Sequence, residues 1–135
     1  MNNDLAVNEI QNHTGIQGII FDGRLRLTKS MVATYFDLDV RTIERYVSDN
    51  SEEIDSNGYE ILKGKKFKKF MDCVLAQDVP DINVGNISNR TPQIAIFYFK
   101  AFINMAMLLE ESENAKVLRQ IMLDIVIALQ MVIKE

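Results

Sequence analysis

Residues 24–49, RLRLTKSMVATYFDLDVRTIERYVSD, leave the chain little choice of local fold. Thr28 stands before a run in which Val32, Ala33 and Phe36 recur at helical spacing, and a threonine there accepts a backbone N–H bond at the helix start. Asp37-Leu38-Asp39 interrupts the run. Asp39 then opens a second one, whose apolar side is Val40, Ile43, Tyr46 and Val47. Two short helices joined by so tight a corner make a helix-turn-helix. Ala33 falls where the two helices approach most closely, and only a small side chain fits there. The corner of such a motif usually holds glycine, so Asp37 must take a left-handed backbone or reshape the turn.

The opposite side of the second helix shows Arg41, Thr42, Glu44, Arg45 and Ser48 to solvent. Arg41 and Arg45 are four apart, so their guanidinium groups project the same way. A helix presented like this fits the major groove of duplex DNA, where arginine bonds guanine edges bidentately. The plainer reading is a helical corner whose arginines form a solvated face with Glu44. The local pattern favours DNA binding over it.

At 135 residues the chain can bury one ordinary hydrophobic core but not two. With 47% hydrophobic and 25% charged residues it is a folding sequence rather than a disordered one. Its net charge of −4 and pI near 5.0 confine any surface for a polyanion to a local basic patch. The basic residues do cluster. Arg24, Arg26, Lys29, Arg41 and Arg45 come early, and Lys63, Lys65, Lys66, Lys68 and Lys69 follow. Asp49, Glu52, Glu53 and Asp55, then Glu110, Glu111 and Glu113, lie elsewhere. The single cysteine, Cys73, forms no internal disulfide, which fits a reducing cytoplasm. The opening MNNDLAVNEI lacks the basic and apolar regions of a signal peptide, and no apolar run reaches membrane-spanning length. A cytoplasmic protein with no membrane partner is expected.

In chain order, residues 1–15 read as a disordered tail. A hairpin follows, Ile19-Ile20-Phe21 turning through Asp22-Gly23 into Arg24-Leu25-Arg26-Leu27, with one apolar and one basic face on its second strand. Residues 51–57 are acidic and irregular. Asp55, Asn57 and Glu60 fall in the order of a calcium loop, but the glycine is misplaced and Lys66 stands where a bidentate Glu is needed, so no metal is expected. Residues 59–62 read as a short strand. Residues 65–77 read as an amphipathic helix with Phe67, Phe70, Met71 and Val74 inward, Lys65, Lys66, Lys68 and Lys69 outward, and an inert Cys73. Residues 78–93 form the longest loop, a flexible one. Residues 94–99 suit either a buried strand or the start of the next helix, which covers 101–109 with Met105 and Met107 filling core gaps.

After a break at 110–112 a last helix begins at Glu113. Leu118, Met122, Ile125, Leu129 and Val132 form a heptad stripe, and Ile121, Leu123, Val126, Ile127, Met131 and Ile133 lie off it. A helix apolar nearly all round is buried within its own domain or against another chain, and a homodimer through this helix is the expectation. The fold class expected is α+β and mostly helical: a β-hairpin with the helix-turn-helix over residues 16–77, then a helical part over 94–135 packed with it.

No catalytic constellation is visible. The one histidine, His13, lies in the tail, which excludes serine–histidine, cysteine–histidine and histidine–zinc sites within this chain. There is no glycine-rich phosphate loop, and Glu52-Glu53 and Glu110-Glu111 read as solvated carboxylates. No enzyme activity and no cofactor are expected.

The run IIFDGRLRLTKSMVATYFDLDVRTIERYVSDN resembles the N-terminal part of the RhuM-type virulence-associated proteins. Those place a strand or hairpin, then a Leu-Thr pair, before a helix-turn-helix ending in an aromatic or His residue. Leu27-Thr28, Ala33, Phe36, Val40, Ile43 and Tyr46 stand at the matching places. Further on, FINMAMLLEESENAKVLRQIMLDIVI is similar to the second half of phage Bro-N antirepressor-like domains, where an apolar helix turns through a Ser- or charge-marked corner into an Ala-x-x-(apolar)-Arg helix, here Ala115 to Arg119. Residues 51–93 depart from that pattern.

The resemblance implies a prophage- or mobile-element-derived DNA-binding regulator or antirepressor. Arg41, Thr42 and Arg45 would read bases, and Thr28, Lys29, Lys66, Lys68 and Lys69 would hold phosphates. Two alternatives stand beside it. One is a protein-interaction module with a vestigial helix-turn-helix. The other is the accessory N-terminal domain of a longer enzyme.

Overall fold

The computed structural model describes Ile10, Asn12, residues 14–77 and residues 92–134, the last three of these by backbone only. Most of the expected N-terminal tail and residues 78–91 of the expected long loop lie outside the described residues, as do the side chains of Val132 and Ile133. Ile10, inside that tail, is buried against the core.

Asp22 and Gly23 both take positive φ, 52° and 75°, the conformation a two-residue hairpin turn demands. They join β1 (Ile19–Phe21) to β2 (Arg24–Thr28). The hairpin is one edge of a four-stranded sheet in the order β1-β2-β4-β3, with β3 at Tyr59–Lys63 and β4 at Gln93–Tyr98. Every neighbouring pair is antiparallel, with Leu27 opposite Phe97 and Tyr59 opposite Phe97 on the other side. Residues 94–99 thus resolve into an inner strand, and the β-branched and aromatic run suits its burial. The sheet joins the two expected parts of the chain, because β4 from the second lies between two strands of the first.

The helices are α1 (Lys29–Phe36), α2 (Val40–Asp49), α3 (Ser51–Ser56), α4 (Gly64–Ala76), α5 (Phe99–Leu108) and α6 (Glu113–Lys134). The class is α+β and mostly helical, as the sequence predicts. Strand alternation divides the sheet. Ile19, Phe21, Arg26, Ile96, Tyr98, Glu60 and Leu62 share one face, and α4 packs there, with Phe70 edge-on to Phe21 at 5.4 Å. Leu27, Phe97 and Tyr59 share the other face, on the side of the remaining helices. There Phe36 and Phe102 stack at 5.2 Å and bring α1 onto α5.

Three expectations need correction. Residues 51–57 are not irregular, since Ser51–Ser56 is a short helix. Ile54 is its fully buried anchor, and Glu52 and Glu53 in its first turn complement the helix dipole. Second, the basic face of β2 is free only at Arg24, which is exposed. Arg26 is 4% exposed, lies 3.9 Å over the Tyr98 ring and donates to the Leu25 carbonyl, while its Nε has no partner. Third, Met107 is exposed and fills no core gap, whereas Met105 does.

Candidate nucleic-acid interface

The helix-turn-helix forms from its caps inward. The Thr28 hydroxyl accepts the Met31 N–H at 3.2 Å and starts α1. Asp37 ends it in the left-handed region (φ 54°, ψ 47°), and the N–H groups of Asp37 and Leu38 return to the Thr34 and Ala33 carbonyls. This satisfies carbonyls that the helix end leaves open, at the backbone cost of a non-glycine residue there. Asp39 Oδ1 accepts the Arg41 N–H at 2.9 Å and opens α2. Ala33 is buried at the crossing, and Ile43 and Val47 anchor α2. Ser30, Thr34, Asp37 and Asp39 line an open groove along the corner, whose charge is acidic.

The predicted site residues separate into three settings. Arg41 and Arg45 are exposed on α2 with Thr42 half-buried beside them, and Lys29 on α1 reaches Glu44 on α2 at 3.6 Å. Thr28 is buried, with its hydroxyl committed to the cap rather than to a phosphate. Lys66, Lys68 and Lys69 are exposed on α4, where Lys66 lies 3.6 Å from Glu60. Glu60 is on the α4 face of the sheet. Burial and then Asp55 and Glu44 push the Tyr59 phenol above its usual range. The lysine helix α4 packs on β1, β3 and β4, whereas α2 packs on α1 and α3, which belong with α5 on the other face. The arginines and the lysines therefore do not form one surface: the sheet lies between their helices.

A residue that the sequence reading set aside meets the first group. Glu111, in the corner between α5 and α6, accepts from Arg45 Nη2 and from the Tyr46 hydroxyl on the same Oε1, both at 2.9 Å. Partial burial and then the Glu111 carboxylate raise the Tyr46 phenol above its usual range. The corner is held by its neighbours. Ser112 Oγ donates to the Phe36 carbonyl at 2.8 Å and accepts the Ala115 N–H at 3.1 Å, and Asn114 donates to the Tyr35 carbonyl at 2.7 Å. Arg119 donates to the Ala106 and Leu109 carbonyls at 2.7 and 2.9 Å, closing the end of α5. The Ser-x-Asn spacing before Ala115 is the one sequence signal for this docking. It marks a helix start and says nothing of what the corner touches.

Compared with protein-family models, curated proteins and solved structures, the chain shows no match. Among the described residues no group of three or more His, Cys, Asp or Glu could hold a metal ion, and no helix is long and apolar enough to cross a membrane.

Proposed function

We propose that this chain is a cytoplasmic, sequence-preferring DNA-binding module of a mobile-element-derived regulator or antirepressor, with α2 as its groove-reading helix. One observation carries the proposal: a capped, tightly cornered helix pair that buries Ala33, Ile43 and Val47 and leaves Arg41 and Arg45 exposed on one side of α2. Arg41, Thr42 and Arg45 read base edges, and Lys29 holds a phosphate. The surroundings of α2 are acidic, with Asp37, Asp39, Glu44, Asp49 and Glu111 nearby, so specificity rests on base contacts more than on charge. Selecting bound duplexes from a random library tests the reading. The wild-type chain should enrich one family of sequences. Arg45→Ala should cost about 1–3 kcal/mol on the enriched site and flatten the preference. A chain that enriches nothing and shifts no duplex at low salt is not a DNA-binding protein.

A second copy completes the proposal. Leu123, Val126, Ile127 and Met131 are all more than half exposed on α6, and residues 125–131 carry no charge, so two copies can pair there without facing like charges. Two-fold pairing would suit paired half-sites. Sedimentation equilibrium at micromolar concentration should give a dimer, and Ile127→Glu a monomer. A wild-type monomer under those conditions removes dimerisation from the proposal.

The alternative, a protein-interaction module, is favoured by the prior engagement of Arg45 and Tyr46 with Glu111. It predicts no duplex shift at any salt.

A further inference from the structure

Three places outside the helix-turn-helix could carry a role: the buried Arg26, the Asn57–Asn104–Glu53 hydrogen-bonded cluster, and the α5–α6 corner. Arg26 is 4% exposed and stacked on Tyr98, on the face of the sheet where α4 packs, so its charge is not presented at the surface. Asn104 is buried, accepts from Asn57 and donates to Glu53, which pins α3 to α5 and gives the cluster a structural role. The corner is different, because its carboxylate reaches the exposed side of α2.

We infer that Glu111 is a specificity-determining positioning residue, which holds the Arg45 guanidinium at one base position without touching DNA itself. The inference rests on the reading of α2 proposed above.

Glu111 receives Arg45 and Tyr46 on one oxygen. Tyr46 therefore fixes the carboxylate, and the carboxylate fixes the guanidinium. The corner that carries Glu111 cannot drift, since Ser112 and Asn114 fasten it to the last carbonyls of α1. Glu111 takes one of the two Nη2 protons, so four N–H donors of Arg45 remain, and an adjacent pair that includes the second Nη2 proton can address a base edge. A free arginine samples many rotamers and can satisfy several bases. One held by a carboxylate presents a single fork. The Arg45 and Glu111 side chains are 58% and 47% exposed, so the contact is open to water and is worth little to folding. Its effect belongs to orientation.

Glu111→Gln tests this, with Glu110→Gln as control, because both changes remove one negative charge and only Glu111 touches Arg45. Both variants should bind random duplex somewhat more tightly through the lost repulsion. Glu111→Gln alone should lower the ratio of preferred to random binding by about threefold to fivefold, the range an exposed ion pair can supply. In the Arg45→Ala background the same change should leave that ratio where it was. Thermal melting of each variant confirms that the corner stays docked.

A ratio unchanged in Glu111→Gln overturns the inference. So does a sharper preference, which would make Glu111 a competitor that blocks Arg45. Both outcomes leave the DNA-binding reading intact, whereas a wild-type chain without any preference overturns that reading and the inference with it.

Discussion

Asp37 shows how far a single residue can be read before a fold is known. The corner of a helix-turn-helix needs one residue at positive φ, and the chain offers aspartate instead of glycine. Asp37 takes that conformation, φ 54°, and its carboxylate makes no hydrogen bond among the described residues. The left-handed backbone closes the helix end, but the aspartate side chain returns nothing visible for its cost. Asp37→Gly should raise stability by about 0.5–1 kcal/mol, allowing for the greater freedom glycine gains when unfolded. Urea denaturation would show a later midpoint at constant slope. A loss of stability would mean that the aspartate contributes more than backbone geometry. Arg26 is the opposite case. Strand alternation put it correctly opposite Leu25 and Leu27, but alternation cannot say which face a helix will cover. Because α4 covers its face, a residue that reads as basic surface is buried cation.

At the scale of elements, what was legible was local. The Asp-Gly turn, the caps at Thr28 and Asp39, the amphipathic period of α4 and the stripe of α6 each depend on residues within a few positions. Residues 51–56 do not show their helix in the sequence, because their polar composition outweighs one apolar anchor, Ile54, whose partners come from other elements. Sheet order was beyond reach as well, since nothing local in residues 93–98 says that they pair with residues 26–28 and 59–63. The α5–α6 corner illustrates the same limit, for Glu110-Glu111 reads as solvated charge until the corner docks. Ser112 is what docks it. It is buried, gives its proton to the Phe36 carbonyl and caps α6. Ser112→Ala leaves both groups without a partner and should cost about 1–3 kcal/mol in urea denaturation. Asn114→Ala, at an exposed contact, should cost less. A Ser112→Ala variant as stable as wild type would show that water replaces both bonds and that the corner is only loosely held.

For the whole molecule, the placement of charge about the sheet decides how DNA could be held. Sequence clustering groups Arg41 and Arg45 with Lys66, Lys68 and Lys69, because one dimension carries no sidedness. In the folded chain α2 and α4 lie across the sheet from one another, and a duplex seated on α2 faces away from the lysines. Each phosphate contact that releases a counterion adds about one unit to the salt slope of binding. If the lysines made such contacts, Lys68→Ala with Lys69→Ala would lower the slope by about two units and weaken all sequences alike. The fold argues against that. The double variant should bind the selected duplex within about a factor of two of wild type at moderate salt, through long-range charge alone, with its slope and its preference unchanged. Lys29→Ala, on the α2 side, should lower the slope by about one unit. Affinity measured over a salt series for these variants checks both statements together. A two-unit fall for the α4 pair would mean that the duplex bends around the sheet edge or that a second copy presents α4 to it, and that the two basic groups act as one surface.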